Sequence, residues 1–146
     1  MSEKGFSTVL DALLCSSPKS LDSFFGDASL SFHSLRVYPL KSGFLAIPFM
    51  PSAHRNMELQ SSGYVLYDAH GHVVCAQGLT PVAMDASVLV GKTNLQELVD
   101  KYGTPHADIG SGMPLLVYLS DHATLYYVQQ QSETTCSIQE KPLIQT

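Results

Sequence analysis

One short unit is written twice in this chain, and that constrains the fold more than any single residue does. Leu21-Asp-Ser-Phe-Phe-Gly26 returns as Leu98-Val-Asp-Lys-Tyr-Gly103, so that Gly26 and Gly103 stand 77 positions apart. Downstream, Leu35-Arg-Val-Tyr38 returns as Leu115-Leu-Val-Tyr118, with Leu35 and Leu115 standing 80 apart. The order is kept and the spacing nearly so: a helix closing on aromatic-Gly, a connection, then a strand carrying Leu-x-Val-Tyr. Self-similarity at a fixed period sets architecture before chemistry. It divides the chain into a first unit over 1–80 and a second over 81–146, the two sharing a core or forming one continuous domain.

Local patterns fill in the units. Phe6, Val9, Leu10, Leu13 and Leu14 follow i, i+3, i+4, i+7, i+8, the apolar stripe of an amphipathic helix. Ser16-Ser17-Pro18 breaks it and starts another, with Ser17 as cap, Pro18 in the first turn and Gly26 as the left-handed stop. Leu35–Leu40 and Phe44–Phe49 flank Lys41-Ser-Gly43, a hairpin in which glycine would supply a positive φ. Pro39 and Pro48 within these runs suggest an edge or a bulge, and the polar stretch 51–62 reads as a loop. Tyr64–Tyr67 and Val73–Ala76 pair around Asp68-Ala-His-Gly71. Thr93 with Gln96 reads as a capping box for a helix carrying Leu95, Leu98, Val99 and Tyr102, stopped by Gly103. Leu115–Leu119 and Thr124–Val128 form a last hairpin, Cys136–Ile138 a further edge strand, and the remaining tail reads as loose. The expected fold is α+β, a tandem repeat of helices packed on one face of antiparallel hairpins.

Composition excludes several functions. With 14% charged and 45% hydrophobic residues, the chain is too apolar for disorder and has little charge to spread over its surface. Eight Lys and Arg against a net charge of −5 leave no basic stripe for nucleic acid. No apolar run approaches the roughly 20 residues of a membrane span, so no membrane insertion is expected. The start lacks a charged region followed by a long apolar stretch, which points to a cytoplasmic protein, or to an exported one had a leader been removed.

The chemical motifs are thin. Ala86-Ser-Val-Leu-Val-Gly-Lys-Thr93 ends like a phosphate loop, but Ala86 stands where the pattern needs glycine. Gly110-Ser-Gly112 leads into a strand, where no helix dipole meets an anion. Asp68, His70 and His72 are the nearest approach to a metal constellation, with alternate imidazoles on one strand face. The same residues are ordinary hairpin chemistry, Asp68 bonding the turn and Gly71 taking positive φ. Cys75 with His33, His106 or His122 would make a nucleophile–base pair, yet Val73-Val-Cys-Ala76 reads as buried strand, where a thiol is inert. A small hydrolase or metal-dependent enzyme built on His70, His72 or Cys75 is therefore the alternative reading. No cofactor is called for.

The residues favoured for function are Tyr38 and Tyr118. Leu and Val of each Leu-x-Val-Tyr share a face by the period of two, placing tyrosine on the other. If Leu35, Val37, Leu115 and Val117 face the helices, both tyrosines look outward on an open sheet. Tyrosine in such a place suits an interface centre. The expected activity is a non-catalytic protein-binding module engaging another protein or its own copy.

A family resemblance is consistent with this. Gly91-Lys-Thr93, Leu98 and Gly103-Thr-Pro105 followed by a hairpin resemble the helix–Gly-x-Pro–sheet module of small bacterial binding proteins, among them the small lipoprotein subunit of the outer-membrane barrel-assembly machine. Tandem copies at this distance resemble the two-unit layout of the β-lactamase inhibitory protein. The resemblance implies antiparallel sheets with a protein-binding face. The first copy departs from it, carrying Asp27-Ala28 where the second has Thr104-Pro105.

Overall fold

The computed structural model describes residues 17–32, 34–52, 58–84, 94–110 and 113–144. The helix expected over Phe6–Leu14, with Cys15, His33, His54 and Thr93, lies outside them. Helix α1 spans Pro18–Phe25 and α2 spans Leu95–Tyr102. Among the described residues ten strands follow in chain order: β1 Leu30–Phe32, β2 Leu35–Leu40, β3 Gly43–Ser52, β4 Glu58–Ser61, β5 Tyr64–Asp68, β6 Val73–Gln77, β7 Ala107–Asp108, β8 Leu116–Leu119, β9 Thr124–Gln130 and β10 Cys136–Pro142. The fold is α+β, with far more strand than helix.

All pairings between these strands are antiparallel, and they make two sheets. The first runs β1-β2-β3-β5-β6, with β4 on the far end of β3; the second runs β10-β9-β8-β7. Strand β3 exchanges β5 for β4 along its length: Ala46 is the last partner of β5, and Phe49 the first of β4. Pro48 falls at that exchange, where no ladder amide is needed, and its carbonyl accepts the Ser62 amide at 3.1 Å. Pro48 thus marks a change of neighbour inside a central strand, whereas Pro39 lies in β2 opposite Phe44. The polar stretch expected as a loop instead contains the end of β3 and all of β4.

Both helices end as the sequence pattern predicts. Gly26 and Gly103 take φ of 84° and 86°, and their amides bond back to Asp22 and Val99. Ser17 caps α1, its hydroxyl accepting the Ser20 amide at 3.2 Å, with Pro18 next in line. The start of α2 is one residue later than expected. Asn94 is the cap, its side-chain carbonyl accepting the Glu97 amide at 2.9 Å. Two adjacent residues were both competent caps, and the one whose third follower is Glu97 holds the position. Gly43 also differs from expectation, since it needs no positive φ. A Cβ there would lie 1.8 Å from the Tyr67 carbonyl, so glycine lets the β5 backbone approach.

The layers explain the burial. Leu35, Val37, Ala46, Val65 and Tyr67 from the first sheet meet Val117, Leu119 and Leu125 from the second, making one core between the sheets. Behind the first sheet, Tyr38, Leu45, Ile47, Phe49 and Leu66 pack under Leu21 and Phe25 of α1. Behind the second, Tyr118, Tyr126, Val128 and Cys136 pack under Leu98 of α2. The order is helix, sheet, sheet, helix, so each helix covers one sheet's outer face.

This arrangement reverses the expected faces. Val37 and Val117 point at the other sheet, and Tyr38 and Tyr118 point at the helices. Both tyrosines are 0% exposed, so they are core residues and not an outward contact surface. Alternation put them opposite the valines, as expected, but the outer face on which each tyrosine lies is covered there by a helix. Tyr38 donates to Asp22 Oδ1 at 2.5 Å, tying β2 to α1, and Arg36 Nε lies 3.4 Å from the same oxygen. Tyr118 donates to the Gly103 carbonyl at 2.8 Å, tying β8 to the end of α2. Burial and then the Asp22 bond push the Tyr38 phenol well above its ordinary value. Burial pushes Tyr118 up to about 12, with the Cys136 thiol adding to it.

Between the sheets Tyr67 donates to the Ser120 carbonyl at 2.5 Å, a polar contact across an otherwise apolar layer. Ser34 Oγ donates to the Asp108 carbonyl at 2.6 Å, joining the turn before β2 to β7. Val82 forms an isolated parallel bridge with Ser120, which ties the segment after β6 into the second sheet. Among the described residues no helix is long and apolar enough to cross a membrane.

Candidate functional site

With Tyr38 and Tyr118 buried under the helices, exposed apolar surface is found instead at the seam between the sheets. An open cleft of about 640 Å³ lies there. One wall is the far end of β3 with β4, contributing Phe49, Met50, Pro51 and Leu59. The other is the segment after α2, contributing Pro105 and Ala107, with Leu79 between them. Met50 is 57% exposed, a large apolar side chain facing solvent from the cleft wall. Its neighbours Ile47 and Phe49 point inward beneath α1, so alternation along β3 turns Met50 the other way.

The far wall is held rigidly by His106. Its Nδ1 accepts the Leu119 amide at 2.8 Å, and its Nε2 meets the Thr80 carbonyl at 3.1 Å. An acceptor at Nδ1 and a donor at Nε2 fix the neutral imidazole in one tautomer. Burial lowers its basicity, the Thr80 carbonyl partly opposing that shift. Next to it Asp108 Oδ1 accepts the amides of Gly110 and Leu115 at 2.9 and 3.1 Å, closing the loop into β8. Both ring nitrogens of His106 are engaged by backbone, so it is a strut of the wall and not a base.

The other residues singled out in the sequence stand elsewhere. Asp68 Oδ1 accepts the amides of His70 and His72 at 2.8 and 2.9 Å, and Gly71 has φ 90°. Those amides, that of His72 first, hold the Asp68 carboxyl below its usual range. This is the turn chemistry that competed with the metal reading. Among the described residues no three His, Cys, Asp or Glu side chains are gathered so as to hold a metal ion. Cys75 packs half-buried against the layer under α1, with Tyr64 and Leu66. Of its candidate partners, His106 is bound to backbone in the cleft wall. His122 Nδ1 contacts Asp121 Oδ1 at 2.9 Å and its Nε2 contacts the Tyr126 hydroxyl at 2.9 Å.

Sequence reasoning missed the cleft because its walls come from residues far apart in the chain, none of them in a motif. The one local signal was Met50, following the inward-facing Phe49 at a strand end that read as a loop. No family model, no curated protein and no solved structure matches the chain.

Proposed function

We propose that this chain is a non-catalytic binding module whose partner is another protein or a second copy. It engages that partner through the cleft at the seam of the sheets, and not through an open sheet face. The observation that carries the reading is Met50, a large apolar side chain 57% exposed on the wall of a cleft whose other lining is mainly apolar. An exposed apolar surface framed by polar residues is the usual mark of an interaction site. The tandem origin belongs to the same proposal. It is supported by the matching orders α1-β1-β2-β3 and α2-β7-β8-β9, and by a buried tyrosine at the same place in each Leu-x-Val-Tyr.

The test is Met50→Glu, which places a charge on the cleft wall without touching either helix-side core. Partner capture or self-association by the wild-type chain should fall by about tenfold or more, the effect of losing an interface anchor. Equal retention by both chains, measured by surface-immobilised binding and by sedimentation, sinks the cleft as the contact.

A further inference from the structure

Away from the cleft, Asp121, His122 and Tyr126 form a string of hydrogen bonds between the β8–β9 turn and the segment after β6. His122 Nδ1 lies 2.9 Å from Asp121 Oδ1, and His122 Nε2 lies 2.9 Å from the Tyr126 hydroxyl. That hydroxyl donates to the Met84 carbonyl at 2.9 Å. Tyr126 and Met84 are buried, whereas the side chains of Asp121 and His122 are half-exposed. The backbone beneath the ring is fixed, since Ser120 Oγ accepts the amides of His122 and Thr124 at 3.2 and 2.9 Å. Segment 82–84 is thereby held at two points. Val82 donates its amide to the Leu119 carbonyl and accepts the Asp121 amide, both at 3.0 Å. Met84 is held by the Tyr126 hydroxyl.

The string is complete only with a charged ring. A hydroxyl has one proton to donate, and a carbonyl can only accept. With that proton on Met84, Nε2 must carry its own to meet the hydroxyl oxygen. Nδ1 must carry one too, because a carboxylate only accepts. The imidazolium has both protons, and the neutral ring has one. The charge-assisted bond to Asp121 is the stronger claim on that single proton, and it sets the tautomer. Nε2 is then a lone pair, which draws the Tyr126 proton away from the Met84 carbonyl.

We propose that protonation of His122 latches segment 82–84 onto the second sheet, by freeing the Tyr126 hydroxyl proton for the Met84 carbonyl. Histidine is the side chain that changes charge between about pH 5 and 8, so acid closes the latch and neutral solution loosens it. The ring faces Asp121 in its own turn and Tyr126 in β9. Opposite Tyr126 stand Tyr118 in β8 and Glu140 in β10, and segment 82–84 carries no titratable group. From the first sheet, Tyr67 feels the Asp121 charge. The turn at Gly71 approaches the His122 carbonyl, and its carboxylate, Asp68, is committed to the amides of His70 and His72. His106 works in the opposite sense, since it accepts the Leu119 amide only while neutral.

Met84 itself reports closure. Its side chain is shielded, while Met50 is exposed and serves as a reference in the same chain. Dilute peroxide followed by peptide mass spectrometry gives the rate of Met84 oxidation relative to that of Met50. Lowering the pH from about 8 to about 5.5 should reduce this ratio about fivefold, the effect of one neutral hydrogen bond. Tyr126→Phe should show the higher ratio at both pH values. Asp121→Asn should show the lower ratio at both, because its amide donates to Nδ1 and leaves the proton of the neutral ring on Nε2.

A wild-type ratio that does not change with pH overturns the proposal, and so does a change that survives Asp121→Asn. A ratio that rises in acid assigns the segment to His106 and overturns it as well. Should Tyr126→Phe loosen the whole fold, Asp121→Asn decides alone: a low ratio at both pH values supports the latch, and a high ratio at either overturns it. No partner enters these measurements, so their failure leaves the reading of the cleft to the Met50→Glu test.

Discussion

The two tyrosines at matching places, Tyr38 and Tyr118, are buried alike but anchored differently. Tyr38 reaches a carboxylate, Asp22 in α1, with Arg36 beside it. Tyr118 reaches a backbone carbonyl, that of Gly103 at the end of α2. The first anchor joins charged side chains and could be lost by several substitutions. The second uses a group every residue possesses, together with a glycine that the helix stop already requires. The same task, fixing a helix against a sheet, is thus met once through side chains and once through backbone. A partly exposed charged network is also the less constrained of the two solutions. Among the described residues, Nε and Nη1 of Arg36 are buried without a hydrogen-bond acceptor, although Nε lies within ion-pair range of Asp22.

The largest test of this parallel is truncation. Tyr38→Ala and Tyr118→Ala should each cost about 3–5 kcal/mol, as for any large aromatic removed from a core. The double variant should lose about 6–10 kcal/mol, the larger part of the about 5–15 kcal/mol that a domain of this kind has to lose. Phenylalanine separates the hydroxyls. Tyr38→Phe should cost more than Tyr118→Phe, since hydrogen bonds to charged groups contribute about 1.5–3 kcal/mol and neutral ones about 0.5–1.5 kcal/mol. The half-exposed Asp22 keeps the first near the lower end of its range. Equal losses in urea denaturation would remove the distinction between the anchors.

Caps come next. Ser17→Ala and Asn94→Ala should each lower stability by about 1 kcal/mol. Thr93→Ala should stay within about 0.5 kcal/mol, as for a residue outside the cap. A larger loss at Thr93 than at Asn94 in thermal melts would move the start of α2 back by one residue.

The smallest effect is a pH dependence confined to the second sheet. The His106 ring accepts the Leu119 amide only while neutral, and burial lowers its basicity. The unfolded chain therefore takes up a proton first as pH falls through about 6.5. Stability contributed by the neutral ring is complete above that pH and is lost as acid is added, until the folded form protonates too. His106→Asn, whose carbonyl can replace the Nδ1 acceptor, should flatten the stability profile between pH 7 and 5. An unchanged slope assigns the acid sensitivity to other groups.

How much of this was legible in the sequence follows from the physics of each element. Helix stops were read correctly because glycine at positive φ is a local requirement. Hairpins were read because the turn and the alternation lie within a dozen residues. The faces of the sheets were reversed because alternation separates Val37 from Tyr38 without saying what covers either. That depends on the other sheet, which is a long-range fact. Strands β1, β4 and β7 are short or polar and gain their order from a neighbour. The cleft was invisible because Met50, Leu79 and Pro105 converge only in three dimensions.

The core between the sheets also bears on how the chain is made. Sheet one is complete at Gln77, while the strands that cover its inner face end at Gln130. At about 5–20 residues per second the ribosome needs roughly 3–10 s to supply them. During that interval Leu35, Val37, Val65 and Tyr67 have no opposing layer. The nascent first half is then a sheet with one apolar side bare, the moment in this protein's life when it is most open to wrong company.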